Sequence, residues 1–252
     1  MKDKIKAIKH FGQNFLINSS VVLKLVESAN LNKEDIVLEI GPGTGILTKE
    51  IAKQVKKVIA IEKDPRMITI LKENLRDFNN IELIEGDILR FNDFPKDYKV
   101  VANIPFYLTA SLIRKLLEEK NQPKEITLIV QKEVAKRICA KPPKTNILAT
   151  AVQFYATPKI LSYISRRSFH PVPKVDSAII KIIPQKQEAD SKKFFKLVKL
   201  GFTHPRKQLI NNLSIGFKKE GINSLLLKNN IQPTQRAETL STGDWIKLIK
   251  ML

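Results

Sequence analysis

The sequence is poor in the residues that cross-link or ligate metal in small domains. It has one cysteine and three histidines among 252 residues. A single cysteine excludes an intrachain disulfide framework, and the histidines do not have the spacing of zinc ligands. Its apolar runs are far shorter than the stretch of about 20 residues that a membrane-spanning helix needs. The first residues, M-K-D-K-I-K, lack the apolar core of a signal peptide. We therefore expect a cytoplasmic protein without a metal site.

Acidic residues are scarce relative to basic ones. The chain has 44 lysines and arginines against 25 aspartates and glutamates, a formal net charge of +19. Such an excess attracts polyanions, and nucleic acid is the leading candidate because neutralised phosphates release counterions. Charge alone distinguishes neither RNA from DNA nor an enzyme from a binding protein. Solvated lysine faces with no partner are the alternative interpretation.

Short β-branched runs alternate with amphipathic stretches through the first two-thirds of the chain. This alternation predicts an α/β fold with a mostly parallel sheet covered on both faces. Two late runs, 162–167 and 177–183, would add an antiparallel edge. The other predicted strands are 36–40, 57–62, 81–85, 98–102 and 125–130, and the helices between them are 44–54, 65–77 and 109–119.

The composition turns polar near residue 184, and only helical patterns follow. We therefore expect a large domain over 1–186 and a small all-helical domain over 187–252. The small domain carries twelve basic and five acidic side chains. That density of positive charge suits an appendage that grips nucleic acid.

A glycine loop joins the first predicted strand to the first helix. Glycines permit close approach of a ligand to the backbone, and a helix N-terminus offers free N–H groups. The loop over 41–45 reads G-P-G-T-G, so its third glycine comes one residue earlier than in the dinucleotide fingerprint. This tells against a pyrophosphate cradle and favours a shorter ligand whose amino-acid tail lies over the turn.

Acidic residues follow the next two strands. Glu62 ends the second strand, where its carboxylate can accept both hydroxyls of a ribose, and Asp87 follows the third, placed to accept from an adenine amino group. Successive ends of parallel strands meet at one crevice, so we expect these residues and the glycine loop to share a site. Either residue alone could be a turn or cap residue.

The stretch over 103–107, N-I-P-F-Y, follows the fourth strand. An adenine amine is a poor nucleophile because its lone pair is delocalised into the ring. If the Asn103 oxygen and the Ile104 carbonyl accept its two hydrogens, the nitrogen is drawn toward tetrahedral geometry and can attack a sulfonium methyl. Pro105 would fix the backbone, and Phe106 would stack on the extruded base. This positioning chemistry requires no metal.

With these motifs in this order, the sequence resembles the KsgA/Erm family of ribosomal RNA adenine dimethyltransferases, and its KsgA branch in particular. The resemblance covers nearly the whole chain and includes F-H-P-V-P-K-V-D-S over 169–177. The other matching segments are 10–16, 41–45, 62, 86–87, 103–107, 130–137, 202–213 and 236–241.

The resemblance implies a Rossmann-like class I methyltransferase sheet with a small helical C-terminal domain, an N-terminal cofactor and RNA motif within 1–20, and S-adenosylmethionine as cofactor. Phe169 would stack on the target base opposite Phe106. The implied cofactor residues are Asn14, Leu16, Gly41, Gly43, Glu62, Asp87, Ile88 and Asn103. The implied RNA contacts are Lys132, Lys136, Arg137, Lys174, Arg206 and Lys207.

The resemblance also implies the substrate, two adjacent adenines near the 3′ end of 16S RNA in a small-subunit precursor, and a monomeric enzyme. The Erm branch, which methylates large-subunit RNA, and a ribosome-assembly factor without turnover are the alternatives. A small-molecule methyltransferase would leave the positive charge unexplained. The chain departs from the family at Phe106, usually tyrosine, and at 142–144 and 204–205.

The charge excess yields a direct prediction. Binding to ribosomal particles should weaken steeply as salt rises, because each neutralised phosphate releases counterions. The measurement is the dissociation constant between about 50 and 200 mM salt, over which a protein making 6–10 phosphate contacts loses roughly 10³- to 10⁵-fold in affinity. A flat response would show that the basic surface does not bind the RNA.

Overall fold

The computed structural model describes residues 14–251. The predicted N-terminal motif over 1–20 is therefore covered only from Asn14 onward, and its first residues lie outside the described part of the chain. Packing divides the chain into two compact units. The first takes the chain through Ala135 together with Pro158–Pro184, and the second takes Lys136–Thr157 together with the chain from Gln185 onward.

A seven-stranded sheet forms the centre of the first unit, and a two-stranded ribbon accompanies it. The strands of the chain are β1 Phe15–Leu16, β2 Ile36–Ile40, β3 Lys57–Glu62, β4 Ile81–Glu85, β5 Tyr98–Asn103, β6 Glu125–Gln131, β7 Ala156–Ile164, β8 Phe169–His170 and β9 Ser177–Pro184. The large sheet has the order β4-β3-β2-β5-β6-β9-β7, and β1 pairs with β8.

Strands β2 to β6 run parallel to their neighbours, whereas β9 runs antiparallel to β6. The chain passes outward from β2 through β3 to β4 and then returns to the other side of β2 with β5. The order of the strands therefore reverses between β2 and β5, and a crevice opens at such a point outside the carboxyl ends of the strands. The predicted α/β class, with its mostly parallel sheet and antiparallel edge, is confirmed.

Helices follow the parallel strands, as the alternating pattern predicts. They are α1 Ser19–Ser28, α2 Ile46–Ala52, α3 Pro65–Asn74, α4 Thr109–Glu118 and α5 Lys132–Ile138. Local chemistry sets their starts. The Asn18 side chain caps α1 by accepting from two backbone N–H groups, and Asp64 caps α3, whose first residue is Pro65. A proline fits the first turn because its missing N–H has no partner there.

The core of the first unit lies under α1 and α2, against the sheet. Leu25, Val37, Ile51 and Val58 belong to one fully buried cluster there. The central strands β2, β3, β5 and β6 read as nearly continuous apolar runs because a parallel sheet is covered on both faces. That is why the parallel strands could be located from the sequence.

The late edge differs from the prediction in its extent. The run predicted as a strand over 162–167 ends as β7 at Ile164, and a short 3₁₀ turn over Arg166–Ser168 follows. The physical reason is that the backbone N–H groups past this point find side-chain acceptors. Ser165 accepts from Arg167 N, and Asp176 accepts from Arg166 N at 3.1 Å.

The regular elements of the second unit within the described residues are helical. They are α6 Ile147–Tyr155, α7 Ser191–Gly201, α8 Leu209–Leu213, α9 Lys219–Lys228 and α10 Thr242–Lys250. Trp245 is fully buried at its centre, and the rings of Phe154 and Phe194 stack with centroids 4.0 Å apart. The aromatic contact joins α6 to α7, so α6 packs with the C-terminal helices. The domain boundary at 186/187 stays a prediction.

None of the helices within residues 14–251 has both the length and the apolar character needed to span a membrane. The longest helix, α7, has 11 residues and packs within the second unit.

Gly201 provides a test of packing in the second unit. A Cβ atom at this position would overlap the ring of the buried Trp245. We predict that Gly201→Ala lowers the free energy of unfolding by about 1–3 kcal/mol, the usual cost of overpacking. Gly221→Ala on α9 is the matched control, because a Cβ there meets nothing within 4 Å, and it should stabilise by about 0.5–1 kcal/mol. Urea denaturation measures both, and equal stabilities would contradict this packing.

Candidate active site

A cavity lies at the carboxyl ends of β2, β3, β4 and β5, where the order of the strands reverses. All eight predicted cofactor residues line it, as do the four predicted catalytic residues over 103–106. These residues converge because they follow successive parallel strands, as predicted from the sequence. Their roles toward a ligand stay predictions.

The glycine loop forms the floor of the cavity in a conformation that favours glycine. Gly41, Gly43 and Gly45 have φ angles of +68°, +57° and +84°, which side chains with a Cβ rarely adopt. A Cβ on Gly43 would also lie 3.1 Å from the Phe15 ring of β1. The loop therefore keeps its backbone accessible to a ligand and allows β1 to lie against it.

The Glu62 carboxylate is held by backbone donors at the edge of the cavity. One oxygen accepts from Gly43 N at 3.2 Å and the other from Asp64 N at 2.9 Å. Burial raises the pKa of Glu62, although these hydrogen bonds oppose the shift. Each oxygen retains a further lone pair, so the carboxylate can accept two hydroxyls from a ribose while its position stays fixed.

Asp87 is paired across the cavity rim with Lys63, which sequence reasoning missed. Its Oδ2 accepts from Lys63 Nζ at 2.8 Å and its Oδ1 from Leu89 N at 2.9 Å. The hydrogen bond from Lys63 lowers the pKa of Asp87, so this carboxylate is ionised and its oxygens can accept from an adenine amine. The signal for Lys63 was its place directly after Glu62 at the end of β3.

Glu39, on β2 below the glycine loop, is the second residue that sequence reasoning did not single out. Its side chain is buried and lines the cavity, and within the described residues its Oε2 has no hydrogen-bond partner. Burial raises its pKa to about 8, aided by repulsion from Glu62. The signal was a carboxylate within the otherwise apolar strand I-V-L-E-I.

Asn103 ends β5 with its side chain oriented by the first described residue. Its Nδ2 donates to the Asn14 carbonyl at 3.2 Å. This bond uses the donor end of the amide, so the Oδ1 atom is the end that can accept from an amine. The prediction that Asn103 accepts one hydrogen of a substrate amine therefore fits the side-chain orientation in the structure.

The three residues after Asn103 shape the opening of the cavity. Ile104 is buried, and Pro105 lies against the glycine loop, where a Cβ on Gly41 would be 3.9 Å from its Cδ. Phe106 begins a 3₁₀ turn and is half-buried on the cavity wall. A ring in this position is available to a flat base entering the cavity.

Phe169 is not among the residues that line the cavity, and its predicted stacking on the target base stays a prediction. Phe169 pairs with Leu16 between β8 and β1, and its side chain is only 1% exposed. It packs in the core cluster with Leu16, Ile164 and Ile179. In this conformation the ring packs against β1, whose residues Phe15 and Leu16 line the cavity.

The six predicted RNA contacts fall in both units. Lys132 and Lys174 belong to the first, whereas Lys136, Arg137, Arg206 and Lys207 belong to the second. Lys132 is half-buried, and the other five are exposed. Exposure leaves each of them accessible to phosphate, and their contacts with RNA stay predictions.

Charge in the cavity favours a cationic ligand. Glu39, Glu62 and Asp87 supply three carboxyl groups to its lining, and Lys63 is an ammonium on the rim. A pyrophosphate would meet the carboxylates of Glu62 and Asp87 at close range, whereas a nucleoside with a positively charged tail would be attracted. Among residues 14–251, no group of three or more histidine, cysteine, aspartate or glutamate side chains could hold a metal ion.

The buried Glu39 carboxyl predicts a pH dependence of stability. Its pKa rises from the usual 4.5 to about 8 in the folded protein, so the folded state holds a proton that the unfolded state has lost over this range. Its contribution to stability is therefore present below about pH 4.5 and is lost as pH rises to about 8.

We predict that Glu39→Gln removes a slope approaching about 1.4 kcal/mol per pH unit within that window. Denaturant unfolding of both proteins between pH 5 and 9 measures it. Parallel pH profiles for the wild type and the variant would show that Glu39 is ionised in the folded state.

The chain matches a family model and curated proteins over nearly its whole length. The model is described as ribosomal RNA adenine dimethylase and matches residues 4–252. "Ribosomal RNA small subunit methyltransferase A" from Dehalococcoides mccartyi is 42% identical over 97% of this chain and 88% of its own. The protein of the same name from Clostridium botulinum is 42% identical over 98% of this chain and 94% of its own.

Solved structures give the same result for the fold. A dimethyladenosine transferase from Plasmodium falciparum superimposes with a TM-score of 0.82 at 31% identity, covering 93% of this chain and 95% of its own. The 23S rRNA methyltransferase ErmE gives 0.80 at 26% identity, covering 95% and 99%. Both are methyltransferases, and the fold is that of their class. On the family match and these identities, the chain belongs to the ribosomal RNA adenine dimethylase family.

Proposed function

We propose that this chain is an enzyme that dimethylates the N6 amino group of two adjacent adenines near the 3′ end of 16S RNA during assembly of the small ribosomal subunit. The observation that carries the proposal is that Asn103 and Glu62 line the same cavity. A residue that can accept a hydrogen bond from an adenine amine thus lines the same cavity as one that can accept hydrogen bonds from a ribose. The small-subunit relatives at 42% identity support the substrate.

S-adenosylmethionine is the cofactor that the cavity fits. The test is the lining itself, in which positive φ angles at Gly41 and Gly43 leave room for a ligand. Glu39 presents a buried oxygen that has no hydrogen-bond partner among residues 14–251. A carboxyl lining complements a ligand that carries both an ammonium and a sulfonium. When bound, the cofactor supplies an electrophilic methyl group.

Each residue of the cavity then has a defined task toward that cofactor. Glu62 accepts the ribose hydroxyls, and Asp87, held by Lys63, accepts from the adenine amine of the cofactor. The glycine loop and β1, through Asn14 and Leu16, enclose the amino-acid end, and Ile88 packs against the adenine. These contacts would hold the reacting methyl group at one position relative to Asn103 before the reaction begins.

The target adenine is positioned by the residues that follow β5. The Asn103 Oδ1 and the Ile104 carbonyl accept the two hydrogens of its amine, which turns the nitrogen lone pair out of the ring plane. Phe106 stacks on the extruded base, and Pro105 holds the backbone that carries both acceptors. The chain's contribution is orientation and electrostatic stabilisation.

Two alternatives are separable from this proposal. An Erm-type enzyme would act on large-subunit RNA, and the ErmE similarity at 26% identity shows that the fold is shared by that branch. A ribosome-assembly factor without turnover would bind the same particles and transfer no methyl group. The F-H-P-V-P-K-V-D-S segment favours the small-subunit branch, and the cavity lined by Glu62 and Asn103 favours turnover. The cytoplasm and a monomeric state stay predictions.

Asn103→Ala tests the proposed reaction. Loss of the acceptor should lower the rate of methyl transfer to unmethylated small subunits by about 10²- to 10³-fold or more, the usual effect of removing one aligned polar group. RNA binding and the unfolding midpoint should change little, because the side chain is half-buried at the cavity. The measurement is single-turnover transfer of labelled methyl.

The matched control is Asn79→Ala, which removes an exposed asparagine just before β4, at the opposite end of that strand from the cavity. This variant should retain the wild-type rate. A rate for Asn103→Ala within about threefold of the control would rule out the proposed role of Asn103.

A further inference from the structure

We propose that an exposed surface of the first unit, formed by Lys132, Tyr163, Arg166, Arg167 and Lys174 and called here the Tyr163 patch, binds a single-stranded RNA nucleotide that flanks the target adenine. A base would stack on the Tyr163 ring, and the basic side chains would contact the phosphates on either side. This inference rests on the proposed function and names part of the surface that would recognise the substrate.

The ring of Tyr163 is the centre of the patch. It lies near the end of β7 at the edge of the sheet, and the residue is 54% exposed. The ammonium of Lys132 lies over one face of the ring, with Nζ 5.1 Å from its centroid. A tyrosine that only filled space at a sheet edge would need no cation, whereas a cation beside an exposed ring is the pairing that suits a nucleotide.

Asp176 holds the basic residues of the patch in place. Its Oδ1 accepts from Arg166 N at 3.1 Å, and its backbone carbonyl accepts from Lys132 N at 2.9 Å. The Lys174 carbonyl in turn accepts from the guanidinium of Arg166 at 3.4 Å. These bonds connect the backbone at Lys132 with the stretch that carries Arg166 and Lys174, so the three residues lie on one surface.

The positive charge of the patch is available to a ligand. Asp176 is the only acidic residue between Tyr163 and residue 176, and its Oδ1 is engaged by a backbone N–H. Within the described part of the chain, the ion pairs involve none of the patch cations. Cations without an acidic partner can neutralise the phosphates of an RNA backbone.

The patch continues directly into the strand pair that borders the cavity. The 3₁₀ turn over Arg166–Ser168 leads into β8, and β8 pairs with β1. The Ser168 carbonyl accepts from Ile17 N at 3.0 Å, and the β1 residues Phe15 and Leu16 line the cavity. A nucleotide on the patch would therefore lie along the segment that supports the cavity wall.

RNA is the partner that this combination favours. Single-stranded RNA offers unstacked bases to aromatic side chains together with phosphates to arginine and lysine. Val172 and Val175, 56% and 45% exposed between Arg167 and Asp176, add apolar surface for a sugar or base edge. A ribosomal protein is the alternative partner, because it could pack against the same exposed valines.

The test compares variants of the whole chain on unmethylated small subunits. Tyr163→Ala should raise KM for the particle about 10-fold, within the range for loss of one stacked base, and should leave kcat nearly unchanged because stacking is present before and during reaction. Tyr163→Phe should restore KM to within about twofold of the wild type. Cofactor affinity and the unfolding midpoint should stay constant in both.

Salt dependence separates stacking from charge. Arg167→Ala should reduce the slope of log affinity against log salt by about one, whereas Tyr163→Ala should leave that slope unchanged. Arg76→Ala is the matched control, because Arg76 is an exposed arginine beyond the end of α3, away from the patch segment. It should leave KM as in the wild type.

A photo-crosslinking side chain in place of Tyr163 identifies the partner. Capture of 16S RNA near the methylated adenines is expected, and capture of a ribosomal protein alone would overturn the inference. A KM for Tyr163→Ala equal to that of Arg76→Ala would overturn it too, while wild-type methyl transfer left the proposed function standing. If the wild type itself transfers no methyl group to any particle, the proposed function fails first.

Discussion

The parallel register of β2, β3, β4 and β5 is the constraint on which the rest of the structure depends. It brings four strand ends to one edge of the sheet, so that residues far apart in sequence line one cavity. Glu62 and Asn103 are 41 positions apart in the chain, yet they share that cavity because their strands flank β2. A slip of one residue would turn either side chain to the opposite face.

Charge is distributed in the opposite sense inside and outside the cavity. The chain carries +19 overall, whereas Glu39, Glu62 and Asp87 make the cavity lining acidic. Burial raises the pKa of Glu39 to about 8, which reflects the cost of an isolated charge at that depth. A cation in the cavity would favour its ionised form, and the basic surface remains available for RNA. One chain can thus bind a cationic cofactor and a polyanionic substrate.

Much of the fold and of the cavity could be predicted from sequence, because apolar runs locate parallel strands and the polar residues that follow them share one edge. Sequence reasoning falls short where tertiary contacts decide the position of a side chain. Phe169 belongs to a motif, but only its pairing with Leu16 shows that its ring lies in the core. The role of Lys63 at the cavity could be recognised only from its hydrogen bond to Asp87. Tyr163 could be assigned to a surface patch only from its contact with Lys132, which lies 31 positions earlier in the chain.

The most direct test of this account is the transfer of labelled methyl groups from S-adenosylmethionine to unmethylated small subunits, to large subunits and to naked RNA, followed by nucleoside analysis. The account predicts dimethyladenosine in the RNA of small subunits alone. Label in large-subunit RNA would assign the chain to the Erm branch. Tight binding to small subunits with no transfer would contradict the central claim that the cavity at the ends of β2 to β5 is a working active site.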